Sequence, residues 1–201
     1  RTADRITALS TFLADWAKDM GATCPVTVVP NGVDYELFSE IVPPSGVQSM
    51  TEKLNKKTSE TLLVTTSRLV PKNAVGDVIE ALRYLPPTVR FIILGQGPEE
   101  ASLKQKTADL DLIDRVNFLG YVERTEIPAY FSVCDIFIRP SVSEGFGVSF
   151  VEAMAAGIPV IATPVGGIPD FLVEGETGLF CEVNNPKSIA QKVEKLIKDR
   201  E

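Results

Sequence analysis

Short apolar runs alternate with helical patterns along nearly the whole chain, and this rhythm admits few folds. The runs are 6–9 (ITAL), 26–29 (VTVV), 61–66 (TLLVTT), 90–94 (RFIIL), 116–119 (VNFL), 135–138 (DIFI), 159–162 (PVIA) and 178–180 (GLF). Several are apolar throughout, as strands buried on both faces are. Between them the spacing predicts helices over 11–20, 74–85, 98–110, 125–132, 147–156 and 186–200. In 74–85, Val75, Val78, Ile79 and Leu82 repeat at helical intervals. Pro186 suits the first turn of the last helix, and Gly21 and Gly157 suit helix ends. Repeated strand–helix units predict an α/β fold with a doubly wound, Rossmann-like parallel sheet. Right-handed crossovers then bring every strand's carboxyl end to one edge, where ligands bind.

One stretch breaks the rhythm. Residues 40–60 carry Pro43, Pro44, serines, threonines and lysines with few apolar residues, and read as a linker or mobile loop. The expected organisation is a fragment at 1–39, a linker at 40–60 and a compact domain at 61–201. The fragment is too small to bury a core of its own, so it packs on the larger unit or belongs to another one.

Apolar residues make up 44% of the 201, enough for a packed core, yet no run is long and apolar enough to span a membrane. Arg1 to Asp4 is polar and no Met opens the chain, so we expect no signal peptide and a start inside a longer protein. The net charge of −7 argues against a general nucleic-acid binder but leaves room for a local basic spot. Cys24, Cys134 and Cys181 are odd in number and widely spaced, which reads as reduced thiols, and no ligand spacing suggests a metal. There is no histidine, so imidazole base chemistry and Ser-His-Asp hydrolysis are excluded within these residues.

Five loops on the expected ligand edge carry chemistry. In SRLVPKN (67–73), Arg68 offers a planar fork of donors and Lys72 a point charge, which suits a diphosphate. The competing reading is two solvated charges. LGQGPE (94–99) places Gly95 and Gly97 at a strand end, but matches a dinucleotide fingerprint only in part; a tight turn is the alternative. In LGYVERTEIPAYF (119–131), the backbone of Gly120, Tyr121 and Val122 could meet a base, or simply lead into a helix. SEGFGVSFVE (143–152) sets Glu144 and Glu152 around a Gly-Phe-Gly turn. Carboxylates there can accept from sugar or ribose hydroxyls, and the helix start offers free N–H groups. Glu152 has almost only apolar neighbours, so it is expected to point at a specific partner. A glycosidase-like acid/base pair is a weaker alternative. TPVGGIPD (163–170) adds Gly166 and Gly167.

Taken together, these segments resemble the C-terminal half of retaining glycosyltransferases of the two-domain GT-B fold, the group 1 or family 4 type that includes sucrose synthases and many bacterial mannosyl- and glucosyltransferases. ADRITALSTFLADWAKDMG (3–21) and PNGVDYELF (30–38) resemble the end of that family's N-terminal domain. SRLVPKN resembles its phosphate loop, SEGFGVSFVE its signature of two glutamates with seven residues between, and EGETGLF (174–180) a further common segment. The resemblance implies a nucleotide-sugar donor such as a UDP-, GDP- or ADP-hexose, with no separate cofactor and no metal. Arg68 and Lys72 would hold its diphosphate and neutralise the leaving group. Glu144, with the backbone around Gly145, Phe146, Gly147 and Val148, would grip the sugar. Glu152 would accept from the ribose, and Tyr121 and Val122, with Gly95 nearby, would meet the base. It further implies retention of configuration, and a carbohydrate or lipid-linked acceptor held by a domain outside this chain. The location implied is cytoplasmic or peripheral at the inner membrane face, without nucleic-acid partners.

The chain departs from the family pattern where Ala74 replaces a common glycine after the basic loop. The family's catalytic histidine and glycine-rich acceptor loop are not in this chain, and its last helix reads as cut short at Glu201. We therefore expect weak nucleotide binding and no transfer by these residues alone. A sugar-nucleotide epimerase and a non-catalytic nucleotide-binding module stay open as alternatives.

Overall fold

A computed structural model of the chain describes residues 3–199. The elements are β1 (Ile6–Ala8), α1 (Thr11–Asp19), β2 (Val26–Val28), α2 (Tyr35–Ser39), α3 (Pro44–Lys53), β3 (Thr61–Thr66), α4 (Val75–Ala81), β4 (Val89–Leu94), α5 (Glu100–Asp109), β5 (Val116–Phe118), α6 (Ile127–Phe131), β6 (Ile136–Arg139), α7 (Val148–Ala155), β7 (Val160–Ala162), β8 (Leu179–Phe180) and α8 (Pro186–Lys198). Every run expected to be a strand is one, with ends shifted by at most one residue. The expected helix at 74–85 ends as a 3-10 turn, Leu82–Tyr84. Arg200, given to the last helix, lies outside the described residues, as do Glu201 and the polar start at Arg1.

Six strands pair in the order β5-β4-β3-β6-β7-β8, all parallel. From β3 the chain winds outward one way through β4 and β5, then crosses back to β6 and continues through β7 and β8. The winding reverses between β3 and β6, where Leu63 pairs with Ile136 and Val64 with Phe137. A crevice opens beyond the carboxyl ends of the strands at such a reversal.

Alternation along the strands divides the core into two layers. Leu63, Phe91, Ile93 and Ile136 pack with Val78 and Ile79 of α4 and Ile189 and Val193 of α8. Leu62, Val64, Ile92 and Phe137 pack with Phe131 of α6 and Phe150 of α7. Helices cover both faces, which is why these strands are mostly apolar. Phe137 joins the second layer through edge contacts, with ring centroids 6.0 Å from Phe131 and 5.4 Å from Phe150.

Residues 40–60 are not the loop expected from their composition. Pro44 opens α3, and Val47, Met50 and Leu54 stand at helical spacing and pack into the second layer, with Leu54 buried. The segment is pinned by charge as well. Lys56 Nζ lies 2.9 Å from Asp135 Oδ2, Lys53 Nζ donates to Tyr130 Oη at 2.8 Å, and Arg90 Nη2 donates to Leu54 O at 3.1 Å. Helix α2 was likewise not anticipated. The Asp34 carboxylate caps it by accepting from Leu37 N–H at 3.1 Å, and Phe38 is buried against Phe131.

Strands β1 and β2 form a separate two-stranded parallel sheet. This unit packs on the glycine loops of the larger one. The buried Ser10 accepts from Leu13 N–H as the cap of α1 and donates its hydroxyl to Gly145 O at 2.7 Å. Thr11 N–H donates to Asp170 Oδ2 at 2.6 Å. Phe12 and Trp16 on α1 and Met20 just past its end, four residues apart, remain exposed.

Candidate functional site

Two cavities lie at the carboxyl edge around the β3/β6 reversal. The first, of about 430 Å³, is walled by Thr66, Ser67 and Arg68 from β3 and its loop, Gly95 after β4, and Tyr121 and Val122 after β5. The second, of about 630 Å³, is walled by Arg68, Lys72 and Asn73 from one side and by Arg139 and Glu144 from the other. Arg68 belongs to both. In a protein of net charge −7, the second wall carries three cations against one carboxylate.

The basic loop is held by its backbone. Asn73 Nδ2 donates to Arg68 O at 2.7 Å, and Val142 N–H donates to Lys72 O at 2.7 Å. The side chains of Arg68 and Lys72 are exposed and make no hydrogen bond or ion pair among the described residues. Ala74, after the loop, adopts a left-handed conformation with φ 49°. That conformation costs a non-glycine residue about 1 kcal/mol or more, so the departure from the family pattern leaves a strained position.

Beside the loop, Thr65 Oγ1, Thr66 Oγ1, Ser67 Oγ and Asn73 Oδ1 are buried without a hydrogen-bond partner among the described residues. Buried polar atoms are nearly always paired.

Opposite, Glu144 follows β6 and has both oxygens engaged. Oε1 accepts from Gly145 N–H at 3.0 Å and Oε2 from Arg139 Nη2 at 2.8 Å. The Gly166–Gly167 turn supports this loop from behind. Gly167 N–H donates to Glu144 O at 3.2 Å, and a Cβ at Gly166, whose φ is +57°, would overlap that same carbonyl. Gly95 stands in a similar relation to the basic loop, since a Cβ there would overlap Ser67 O.

The expected residues divide as follows. Arg68, Lys72 and Glu144 meet at the second cavity, and Gly95, Tyr121 and Val122 meet Arg68 at the first. Gly145 has both backbone groups used within the chain, by Glu144 and Ser10. Phe146 buries its ring 5.3 Å from that of Phe171, so only its main chain can face a ligand. The N–H groups of Phe146 and Gly147 have no acceptor among the described residues, and Val148 opens α7, where N–H groups lack helical partners. Tyr121 is exposed, and its hydrogen bond to Glu123 holds the phenol above its ordinary range. Glu152 lines neither cavity. It is buried on α7, and its Oε1 accepts from Arg124 Nε at 3.0 Å. Among the described residues, no cluster of histidine, cysteine or carboxylate side chains could hold a metal ion.

The family described as Glycosyl transferases group 1 matches residues 47–201. The chain belongs to it. Its sheet is the Rossmann-like sheet of GT-B glycosyltransferases. The chain is 34% identical over 145 residues to the N-acetyl-alpha-D-glucosaminyl L-malate synthase of Bacillus anthracis, covering 71% of this chain and 38% of that protein. It is 30% identical over 213 residues to the GDP-mannose-dependent alpha-(1-6)-phosphatidylinositol monomannoside mannosyltransferase of Mycobacterium tuberculosis (strain CDC 1551 / Oshkosh), covering 98% of this chain and 54% of that protein. The crystal structure of Anabaena HepE in complex with UDP and glucose superimposes with a TM-score of 0.88 at 28% identity, covering 98% of this chain and 55% of that one. This group 1 chain thus spans about half the length, or less, of such relatives. Its match begins at residue 47, inside α3, so this helix is partly within the family pattern.

Three side chains of this family member were not singled out from the sequence: Arg139, Ser149 and Arg124. Arg139 ends an apolar strand just before Pro140, and a charge in that position was the available signal. Arg124 had no comparable signal, because its partner Glu152 is 28 residues away.

Proposed function

We propose that this chain is the donor-binding half of a glycosyltransferase that takes a hexose from a nucleoside diphosphate sugar with retention of configuration. The observation that carries the reading is the second cavity. Two cations unpaired among the described residues, Arg68 and Lys72, line it with Glu144 at the sheet's reversal point in an otherwise acidic protein. The diphosphate lies against Arg68 and Lys72, which stabilise the charge that grows on the leaving nucleoside diphosphate. The sugar lies toward Glu144 and the N–H groups of Phe146, Gly147 and Val148. The base lies in the first cavity, along Tyr121, Val122 and Gly95. Glu152 reaches the ribose by sharing its carboxylate between Arg124 and the hydroxyls. Transfer proceeds by front-side attack through an oxocarbenium-like state, with placement as the protein's main contribution. The relatives support a nucleotide donor, one being GDP-mannose-dependent and another forming a complex with UDP.

The acceptor, carbohydrate or lipid-linked, is held by residues outside this chain, at the cytoplasm or the inner membrane face. The 201 residues alone bind donor weakly and do not transfer. The test is a thermal-shift panel of UDP-glucose, ADP-glucose and GDP-mannose on the chain. A fitting donor at a hundred times its Kd adds about 2.7 kcal/mol to stability, which raises Tm by roughly 5–10 °C for a chain of this size. The reading is lost if no sugar nucleotide at millimolar concentration moves Tm or gives heat in calorimetry. Robust transfer from labelled donor by this chain alone would sink the statement about activity.

A further inference from the structure

Arg139 is 6% exposed at the end of β6, in the middle of a parallel sheet, where a guanidinium is costly unless every donor is used. All three nitrogens have acceptors. Nε donates to Ser141 Oγ at 3.2 Å, Nη1 to Ser149 Oγ at 2.7 Å and to Thr66 O at 3.4 Å, and Nη2 to Glu144 Oε2 at 2.8 Å. The guanidinium carbon sits 4.4 Å from the centre of the Phe150 ring. These contacts tie the head of β3, the loop after β6 and the first turn of α7 to one planar group. Of the partners only Glu144 is charged, and it lines the cavity with Arg139. Burial pushes the guanidinium below its usual range, and the carboxylates of Glu144 and Glu152 push it back up.

Resting on the donor-site reading above, we infer that Arg139 is a positioning residue that locks the Glu144 carboxylate in the orientation that accepts from the donor sugar. Oε2 is fixed by Arg139 and Oε1 by Gly145 N–H, so the carboxylate plane cannot turn. The lone pairs left over then point in set directions. Arg139 lines the cavity, but its guanidinium is buried and spent on protein acceptors, so its loss is felt more by the sugar nucleotide than by the bare nucleoside diphosphate.

The experiment compares Kd by calorimetry for UDP against UDP-glucose and for GDP against GDP-mannose, using whichever pair the wild-type chain binds. In Arg139→Met, the sugar nucleotide should weaken about tenfold relative to its nucleoside diphosphate, as expected for loss of one charge-assisted orientation. Arg139→Lys should recover part of that ratio. Arg139→Met combined with Glu144→Gln should be no worse than Glu144→Gln alone. Ser149→Ala, which removes one anchor and leaves the charge, should move the same ratio about threefold, and it carries the test if Arg139→Met does not fold. A ratio unchanged in these variants, or equal losses for both ligands, overturns the inference while leaving the donor site standing. Additive losses in the double variant overturn it too. If the wild-type chain binds neither pair, the donor-site reading fails and this inference with it.

Discussion

Arg68 and Lys72 reach the cleft as exposed cations with no partner among the described residues, whereas Glu144 reaches it with both oxygens already bonded. On the proposed donor-site reading, the two sides do different kinds of recognition. Coulombic attraction falls off slowly and tolerates a range of directions, so cations meant for a diphosphate can be left free to adjust. Recognition of a sugar hydroxyl depends on hydrogen-bond direction, so its acceptor must be held before the ligand arrives. One side of the cleft is loose in its side chains; the other is braced through Arg139, Gly145 and the Gly166 turn.

The hardest test of that contrast is removal of both free cations. Arg68→Ala with Lys72→Ala is expected to weaken UDP or GDP binding by about a hundredfold or more, from two charge-assisted contacts at roughly 1.5–3 kcal/mol each. Chemical denaturation should show stability within about 0.5 kcal/mol of wild type, as for exposed sites that touch nothing. A large stability loss would mean the basic side is braced after all. On the opposite side, Gly166→Ala should cost about 2–4 kcal/mol of stability, from a left-handed alanine and an overlap with Glu144 O. Near-neutral behaviour in the same denaturation assay would break the idea of a braced loop.

The Arg124–Glu152 pair sharpens the comparison at smaller scale. Arg124 is about half exposed, so the pair is discounted for solvent. A double-mutant cycle with Arg124→Ala and Glu152→Gln is expected to give a coupling of about 1 kcal/mol. A coupling of zero would leave the buried Glu152 carboxylate without a measurable partner. The smallest effect is expected at the end of the basic loop. Ala74→Gly relieves the left-handed strain and should raise stability by about 0.5–1 kcal/mol. A decrease would show that the loop gains more from a stiff residue than it loses to strain.

The central strands were readable because burial on both faces leaves only Leu, Val, Ile and Phe in 62–64 and 91–94. Their carboxyl-end loops were readable through glycines that close approach demands, as at Gly95 and Gly166. Helix α3 was hidden by Pro43 and Pro44 and by its polar bulk, although Val47, Met50 and Leu54 keep a helical stripe. Helix α2 is too short for periodicity to show, and its cap at Asp34 is the one local sign. Arg139 was hidden for a different reason. Whether an arginine at a strand end is buried depends on Ser141, Glu144, Ser149 and a carbonyl at Thr66, and the last of these is 73 residues distant. Glu152 was expected to face a specific partner because its neighbours are apolar, and it does so, but the partner within the chain is Arg124.

The Ser10 hydroxyl spans 135 residues of sequence to hold Gly145 O. It makes the small first unit part of the mounting of the Glu144 loop. A rotation of that unit must either break the bond or carry Gly145 along, and Gly145 N–H is one of the two groups that set the Glu144 carboxylate. The geometry around the Glu144 carboxylate is therefore geared to the position of a sheet that contributes no described side chain to the cavity wall.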